Sequence, residues 1–316
     1  MKEDSFSEAS SSGKTSDGGR PRGRGRSGTG TKGDFISPEA KIASDVKLGR
    51  DVIIGPDVTI AGGCVLGDCV EIRGITYIGR DNFISQGALL GMPPQDLGYN
   101  DEPTGLILGE SNFIGPRVTI HRGTPSEEKS GYTDIGNAIF GNNDVEITEE
   151  FKAAAGRMKG LTKVGNKNTF KAFVHIAHDC LLGCDNALDE YVQLSGHVEI
   201  DSGCRIGTLS GIHQFVRMGR LARVEAHTKV TKDVPPFFKV GGHPAEILDP
   251  VPEEELKNHE VREIENFAQI VRACRLLSSE GLNTSQAVEK MTAEMSGPKI
   301  EELIEFIKNS NRGICG

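Results

Sequence analysis

Residues 174–213 read VHIAHDCLLGCDNALDEYVQLSGHVEIDSGCRIGTLSGIH, and every sixth position is aliphatic: Ile176, Leu182, Leu188, Leu194, Ile200, Ile206 and Ile212. A half-buried strand alternates every two residues and a helix turns every 3.6, so neither produces a period of six. The same phase extends back through Phe170 to Val164 and forward through Met218, Val224 and Val230. Nearer the N-terminus it runs from Ile36 through Ile42, Leu48, Ile54, Ile60, Leu66, Ile72, Ile78 and Ile84, then resumes at Leu108 and Ile114. Such a hexapeptide repeat predicts a mainly β, parallel β-helix. One aliphatic side chain in six enters a narrow prism, and Gly, Asn and Asp let the chain turn between short strands. Three hexads close one triangular coil, and coils stack at about 4.8 Å, the hydrogen-bonding distance between neighbouring strands.

Two segments leave the phase. Residues 91–107 contain Pro93, Pro94, Gln95, Asp96 and Pro103, and are expected to loop out of the prism. Residues 125–160 form a longer insertion, with a short helix expected around 149–157 and a lid or extra cations (Lys152, Arg157, Lys159) as its expected contribution. After Asp233-Val234-Pro235-Pro236 the period of six ends, and Ile264, Phe267, Val271, Cys274 and Leu277 recur at helical spacing. A second helix is expected after Asn283 and a third from Pro298, a favoured first helical position. The domains expected are therefore an N-terminal arm over 1–34, a prism over 35–249 and a small helical domain over 250–316. The arm is rich in Ser and Gly, carries the run Arg20-Pro21-Arg22-Gly23-Arg24-Gly25-Arg26 and reads as disordered. An RNA-binding or targeting role for it is weakened by Glu3, Asp4, Glu8 and Asp17.

Composition narrows the function classes. With no Trp, 5% aromatic residues and 40 glycines, the core must be aliphatic and the turns tight. A net charge of -9 argues against nucleic acid as a partner of the folded part, since a phosphate backbone needs a basic surface. Seven cysteines with no CxxC spacing and no secretory apolar segment fit a reducing, cytoplasmic setting. No run approaches the roughly 20 apolar residues of an integral membrane segment.

The histidines are the candidate chemistry. Ile176, Leu194 and Ile212 lie one coil apart, so His175, His178, His197 and His213 fall on one strip of the prism surface. Imidazoles with an ordinary pKa near 6.5 supply proton acceptors at neutral pH. Each alone reads as a surface histidine, and three together also suit zinc; one carbonic anhydrase class builds its metal site on such a prism. A purely structural solenoid is the remaining alternative.

The segment His175-Ile176-Ala177-His178-Asp179-Cys180 resembles the active-site segment of the UDP-N-acetylglucosamine acyltransferases, which open lipid A synthesis. Thr119-Ile120-His121-Arg122-Gly123, Leu194-Ser195-Gly196-His197-Val198, Gly211-Ile212-His213-Gln214-Phe215, Asp233-Val234-Pro235-Pro236, Pro94-Gln95-Asp96-Leu97 and Asn311-Arg312-Gly313 are similar to that family too. The resemblance covers the chain from about residue 35 onward. It implies a left-handed parallel β-helix, a homotrimer with sites between adjacent prisms, and transfer of a (3R)-hydroxyacyl group from acyl carrier protein to the sugar 3-hydroxyl. It needs no cofactor and no metal. His178 would be the general base, Asp179 its orienting partner and the Gly196 N–H the oxyanion donor. Gln95, Asp96, His121, His175, His197, His213 and Gln214 would contact substrate, and Ala226 would limit acyl length, favouring a shorter chain than a glycine there. Acyl carrier protein is acidic, so a basic patch is expected, with Arg217, Arg220, Arg272 and Arg275 as candidates.

Two positions depart from the family pattern. Gly98 stands where a lysine meets the nucleotide diphosphate, and Asn258-His259 where an arginine pair is usual. Another acceptor, such as a 3-amino UDP sugar, is the alternative these changes leave open.

Overall fold

The computed structural model describes residues 34–125, 159–258, 267–278 and 280–316. The 1–33 part of the arm, the short helix expected at 149–157, Lys152, Arg157 and His259 lie outside the described residues.

Short strands, most of them two residues long, begin with Phe35–Ile36 and recur at the hexad phase up to Lys229–Val230. They stack into three sheets, of nine, eight and ten strands among the described residues, whose neighbours come from successive coils. The pairing is parallel throughout the prism: Ile54 faces Ile72, Ile176 faces Leu194, and Leu194 faces Ile212. This is the left-handed parallel β-helix of the sequence reading, followed by a small helical domain. A two-residue strand has no stability of its own; each coil is held by the coils above and below it.

Two positions per hexad build the interior. The aliphatic phase residue is fully buried along most of the prism, as at Ile54, Ile72, Ile114, Ile176 and Leu194. The residue two places earlier is equally buried but small, as at Val52, Val70, Val174, Val192 and Val198. At about 1.5–3 kcal/mol for each large apolar side chain removed from water, this repeated column is the main stabilising term. One corner substitutes asparagine: Asn82, Asn112, Asn168 and Asn186 are buried, and each side-chain Oδ1 accepts from the backbone N–H one coil on, at Asn112, Asn168, Asn186 and Cys204.

The first excursion is narrower than the 91–107 expected. Leu89–Met92 and Gly105–Leu108 are strands at its two ends, so residues 93–104 leave the prism. Its stem is gripped by Arg122, which donates to the Gly91 carbonyl and the Tyr99 hydroxyl, 3.0 Å each, with its guanidinium over the Tyr99 ring.

The prism ends in an antiparallel hairpin, Phe238–Gly242 with Ala245–Pro250. Among the described residues four helices follow: α1 (Glu253–Asn258), α2 (Phe267–Ser278), α3 (Thr284–Glu294) and α4 (Pro298–Lys308). Asn283 caps α3 through a reciprocal capping box with Gln286, and Pro298 opens α4. The buried face of α2 carries Ile270, Ala273, Cys274 and Leu276, so Phe267, Val271 and Leu277 sit at its margin, not at its centre. Asp233 ties the tail to the prism. It exchanges backbone hydrogen bonds with Gly313 and Cys315, and its carboxylate accepts from Ser310 Oγ and Arg217 N.

Candidate active site

The prism corner that follows His175–Ile176 carries the histidine cluster. Asp179, His197 and Phe215 occupy the same corner on three successive coils, with φ of 58°, 60° and 62°. Holding a non-glycine residue in this left-handed region costs roughly 1–2 kcal/mol. The turn repeats at each coil, so the three side chains leave the prism along one edge. His197 and Phe215 stack accordingly, ring centroids 4.6 Å apart.

His178 Nδ1 lies 2.8 Å from Asp179 Oδ2, and both side chains are 13% exposed. The ionised carboxylate only accepts, so Nδ1 carries the proton and Nε2 is left as the basic nitrogen. Asp179 is itself held. Thr124 N donates to both carboxylate oxygens at 3.0 Å, Thr124 Oγ1 donates to Oδ2 at 2.6 Å, and the Asp179 N–H donates to Thr162 Oγ1 at 2.8 Å. His197 stands edge-on to His178 at 5.3 Å, its Nε2 3.7 Å from Asp179 Oδ2.

Gly196 packs under the His178 imidazole. A Cβ at that position would lie 2.6 Å from His178 Cε1 and 2.8 Å from Nε2. The glycine is therefore required by the imidazole above it, which the sequence presents only as one more turn glycine.

A second imidazole pair lies on the adjoining coils. The His121 and His175 rings meet edge-on at 5.1 Å. His121 Nδ1 donates to the Pro93 carbonyl at 2.5 Å, and His175 Nδ1 is 2.7 Å from Thr119 Oγ1. Burial pushes the His175 pKa down to about 4, with the neighbouring His121 adding to the effect. Burial also lowers His121, against the raising effect of the Pro93 carbonyl. It lowers His197 too, partly opposed by Asp179 and Asp96. These three rings are neutral at physiological pH, which suits groups that hydrogen-bond a substrate more than groups that pair with its charge.

The other sequence candidates are more peripheral. Gln95 and Asp96 sit exposed on the first excursion, with Asp96 Oδ1 accepting from Gly98 N at 2.7 Å. His213 and Gln214 are exposed and engaged by the tail: Arg312 donates to the Gln214 and Thr231 carbonyls and reaches His213 Nδ1 at 3.3 Å. Ala226 is exposed on its corner, its backbone filling the space a Cβ on Gly207 would need.

Three of the four arginines expected to form a basic patch are neutralised within the chain. Arg217 pairs with Glu199 at 3.4 Å, Arg220 with Glu302 through two hydrogen bonds of 3.1 and 2.8 Å, and Arg272 with Glu294. Glu199 stands one coil before Arg217, a neighbour the 18-residue coil spacing already implies, whereas Glu302 is brought to Arg220 from 82 residues away by folding.

His178, Asp179 and His197 also offer donor atoms within 4.8 Å of one another, a spacing a metal ion can use. Asp179 Oδ2 already accepts from His178 and twice from Thr124, which favours a hydrogen-bonded dyad over a ligand set. Cys180 plays no part as a nucleophile: it is buried, its Sγ donates to the Ser195 carbonyl, and burial pushes its pKa up to about 12.

Sequence reading missed Thr119, Thr124 and Thr162. Thr124 directly follows the quoted Thr119–Gly123 segment, but its partner Asp179 is 55 residues away across an insertion that hides the coil spacing.

Comparisons with known proteins show the family of the chain. Residues 233–315 match the family model described as Udp N-acetylglucosamine O-acyltransferase, Domain 2. The acyl-[acyl-carrier-protein]--UDP-N-acetylglucosamine O-acyltransferase of Halorhodospira halophila is 34% identical over 281 residues, 89% of this chain and 96% of that protein. Its namesake in Gloeothece citriformis is 32% identical over 243 residues, 76% of this chain and 75% of the relative. Among solved structures, LpxA from Acinetobacter baumannii superposes with a TM-score of 0.75 at 31% identity, covering 90% of this chain and 99% of that one. LpxA from Bacteroides fragilis, titled a UDP-N-acetylglucosamine acyltransferase, gives 0.63 at 31% identity, covering 89% and 100%.

Proposed function

Because the chain belongs to the acyl-[acyl-carrier-protein]--UDP-N-acetylglucosamine O-acyltransferase family, we propose that it moves a (3R)-hydroxyacyl group from acyl carrier protein to the 3-hydroxyl of UDP-N-acetylglucosamine, with His178 as general base. The observation that carries this reading is the His178–Asp179 contact of 2.8 Å, which fixes the tautomer and leaves Nε2 free to accept a proton.

The steps follow from that arrangement. Nε2 takes the proton of the sugar hydroxyl as its oxygen attacks the thioester carbonyl. The carbonyl π electrons move onto oxygen, and the Gly196 N–H donates to that oxyanion. Among the described residues no backbone carbonyl accepts from this N–H. Collapse of the intermediate breaks the carbon–sulfur bond, and the imidazolium returns its proton to the leaving thiolate. Asp179 stabilises the imidazolium while it lasts, without taking the proton itself. Ester and free carrier thiol are the products; no covalent enzyme intermediate, metal or cofactor enters.

His175, His121 and His197 then serve as neutral hydrogen-bonding groups for the sugar and its amide. Gln95, Asp96, His213 and Gln214 contact the rest of the nucleotide sugar, and Ala226 closes the acyl path. The working assembly is a homotrimer in the cytoplasm, with sites between prisms; among the described residues no helix is long and apolar enough to cross a membrane.

The test is a transfer assay with purified protein, a series of acyl carriers, and UDP-N-acetylglucosamine or its 3-amino analogue. Ester formation with the 3-hydroxy sugar is expected, and His178→Ala lowers kcat by about 10²- to 10⁴-fold. Full turnover by His178→Ala removes the mechanism; exclusive use of the 3-amino sugar reassigns the acceptor.

A further inference from the structure

Thr124 is the residue at which the chain leaves the prism for the long insertion, and Gly160 is where it returns. The two ends are pressed together: a Cβ on Gly160 would overlap the Thr124 carbonyl, and one on Gly123 would crowd Leu161 N, Gly160 C and Asp179 Oδ1. Gly123 N also donates to Gly105 O, and Gly105 N to Gly160 O, at 3.1 and 3.0 Å. This narrow neck sits directly against the carboxylate that orients His178.

Resting on the reading of His178 as base, we propose that Thr124 is a positioning residue for the reaction, fixing the Asp179 carboxylate through its backbone N–H and its hydroxyl together. The N–H reaches both carboxylate oxygens and the hydroxyl reaches Oδ2, the oxygen that also meets His178 Nδ1. Asp179 sits on a left-handed corner, φ 58°, on a side chain with its own torsional freedom. Without those donors the carboxylate can rotate and leave the His178 Nδ1 proton without its acceptor. Hydrogen bonds to an ionised group are about twice as strong as neutral ones, so a single hydroxyl has leverage on the tautomer.

The hydroxyl is separable from the backbone donor. Thr124→Val keeps the branched shape and the N–H but removes Oγ1; Thr124→Ser restores an oxygen. In Thr124→Val, kcat is expected to fall about tenfold, with KM for both substrates within about twofold of wild type. Thr124→Ser is expected to recover most of that loss. In a His178→Ala background, Thr124→Val should cost nothing further, because its effect runs through the imidazole. ¹⁵N NMR of His178 gives a readout independent of turnover: wild type shows the Nδ1–H tautomer, and Thr124→Val a mixture. A wild-type kcat in Thr124→Val, an equal loss in the His178→Ala background, or an unchanged tautomer overturns the proposal. If Thr124→Val does not fold, Thr124→Ala is assayed in its place against the same outcomes. A wild-type protein that transfers no acyl group, yet whose tautomer responds to the substitution, counts against the acyltransfer reading and not against the positioning role.

Discussion

The imidazole of His178 rests on the Cα of Gly196 so closely that no side chain fits between them, a Cβ there lying 2.6 Å from Cε1. The residue proposed to offer its N–H to the oxyanion is thus also the floor that sets the height of the His178 imidazole. Gly196→Ala is expected to lower kcat by about 10²-fold or more while the prism stays folded, since the clash falls on a side chain that swings outward and not on backbone. Steady-state kinetics alongside thermal melting separates the two effects; a melting midpoint that collapses together with activity contradicts this.

The buried histidines make stability depend on pH with a definite sign. His175 titrates near 4 in the folded chain and near 6.5 when unfolded, so between those values the unfolded chain binds the extra proton. Its contribution is complete above about pH 6.5 and is lost as pH falls toward 4. Burial shifts His121 and His197 in the same direction. Urea midpoints measured from pH 7.5 to 4.5 should therefore decline, and His175→Gln should make the decline shallower. An unchanged slope means the ring is more hydrated than its burial implies.

Ala226 offers a reading of acyl length. If its methyl closes the acyl path, Ala226→Gly shifts preference toward longer acyl carriers, by roughly the 1–3 kcal/mol that one or two methylenes are worth in an apolar pocket. Competition between carriers of different length reports the ratio directly, and identical ratios in the two proteins dismiss the idea.

Arg312 connects the tail to the segment His213-Gln214 through the Gln214 and Thr231 carbonyls. Arg312→Ala frees that segment, and KM for the sugar nucleotide is expected to rise severalfold while kcat changes little. A loss in kcat alone would place the arginine nearer the chemistry than its contacts suggest.

The prism was legible because its physics is repetitive: one buried apolar residue per hexad is a signal written about twenty times, and Ile54, Ile176 and Ile212 fall in the same sheet although the insertions shift the numbering between the first two. His178 and Asp179 were legible because they are neighbours in sequence. The support of Asp179 by Thr124 was not, because a side-chain hydrogen bond across 55 residues leaves no periodic trace. The helix α2 illustrates a different limit. Helical spacing fixed that it forms, but Ile270 and Leu276, not Phe267 and Leu277, face inward, since the packing partner decides which of two overlapping stripes is buried. Arg220, a candidate docking charge, pairs with Glu302 for the same reason: the partner is brought up from 82 residues away by the tertiary fold, whereas the Glu199 partner of Arg217 lies one coil away and was within reach of the spacing.

A stack of parallel rungs has a terminal row of N–H and C=O groups that, left bare, accepts a strand from any other molecule. Here that row is covered in two of the three sheets. Asp233 exchanges backbone hydrogen bonds with Gly313 and Cys315, and the antiparallel hairpin Phe238–Gly242 with Ala245–Pro250 turns another sheet back on itself. Residues 313–315 thus cover one exposed strand edge, and trimming them is expected to make the molecule self-associate before it makes it inactive.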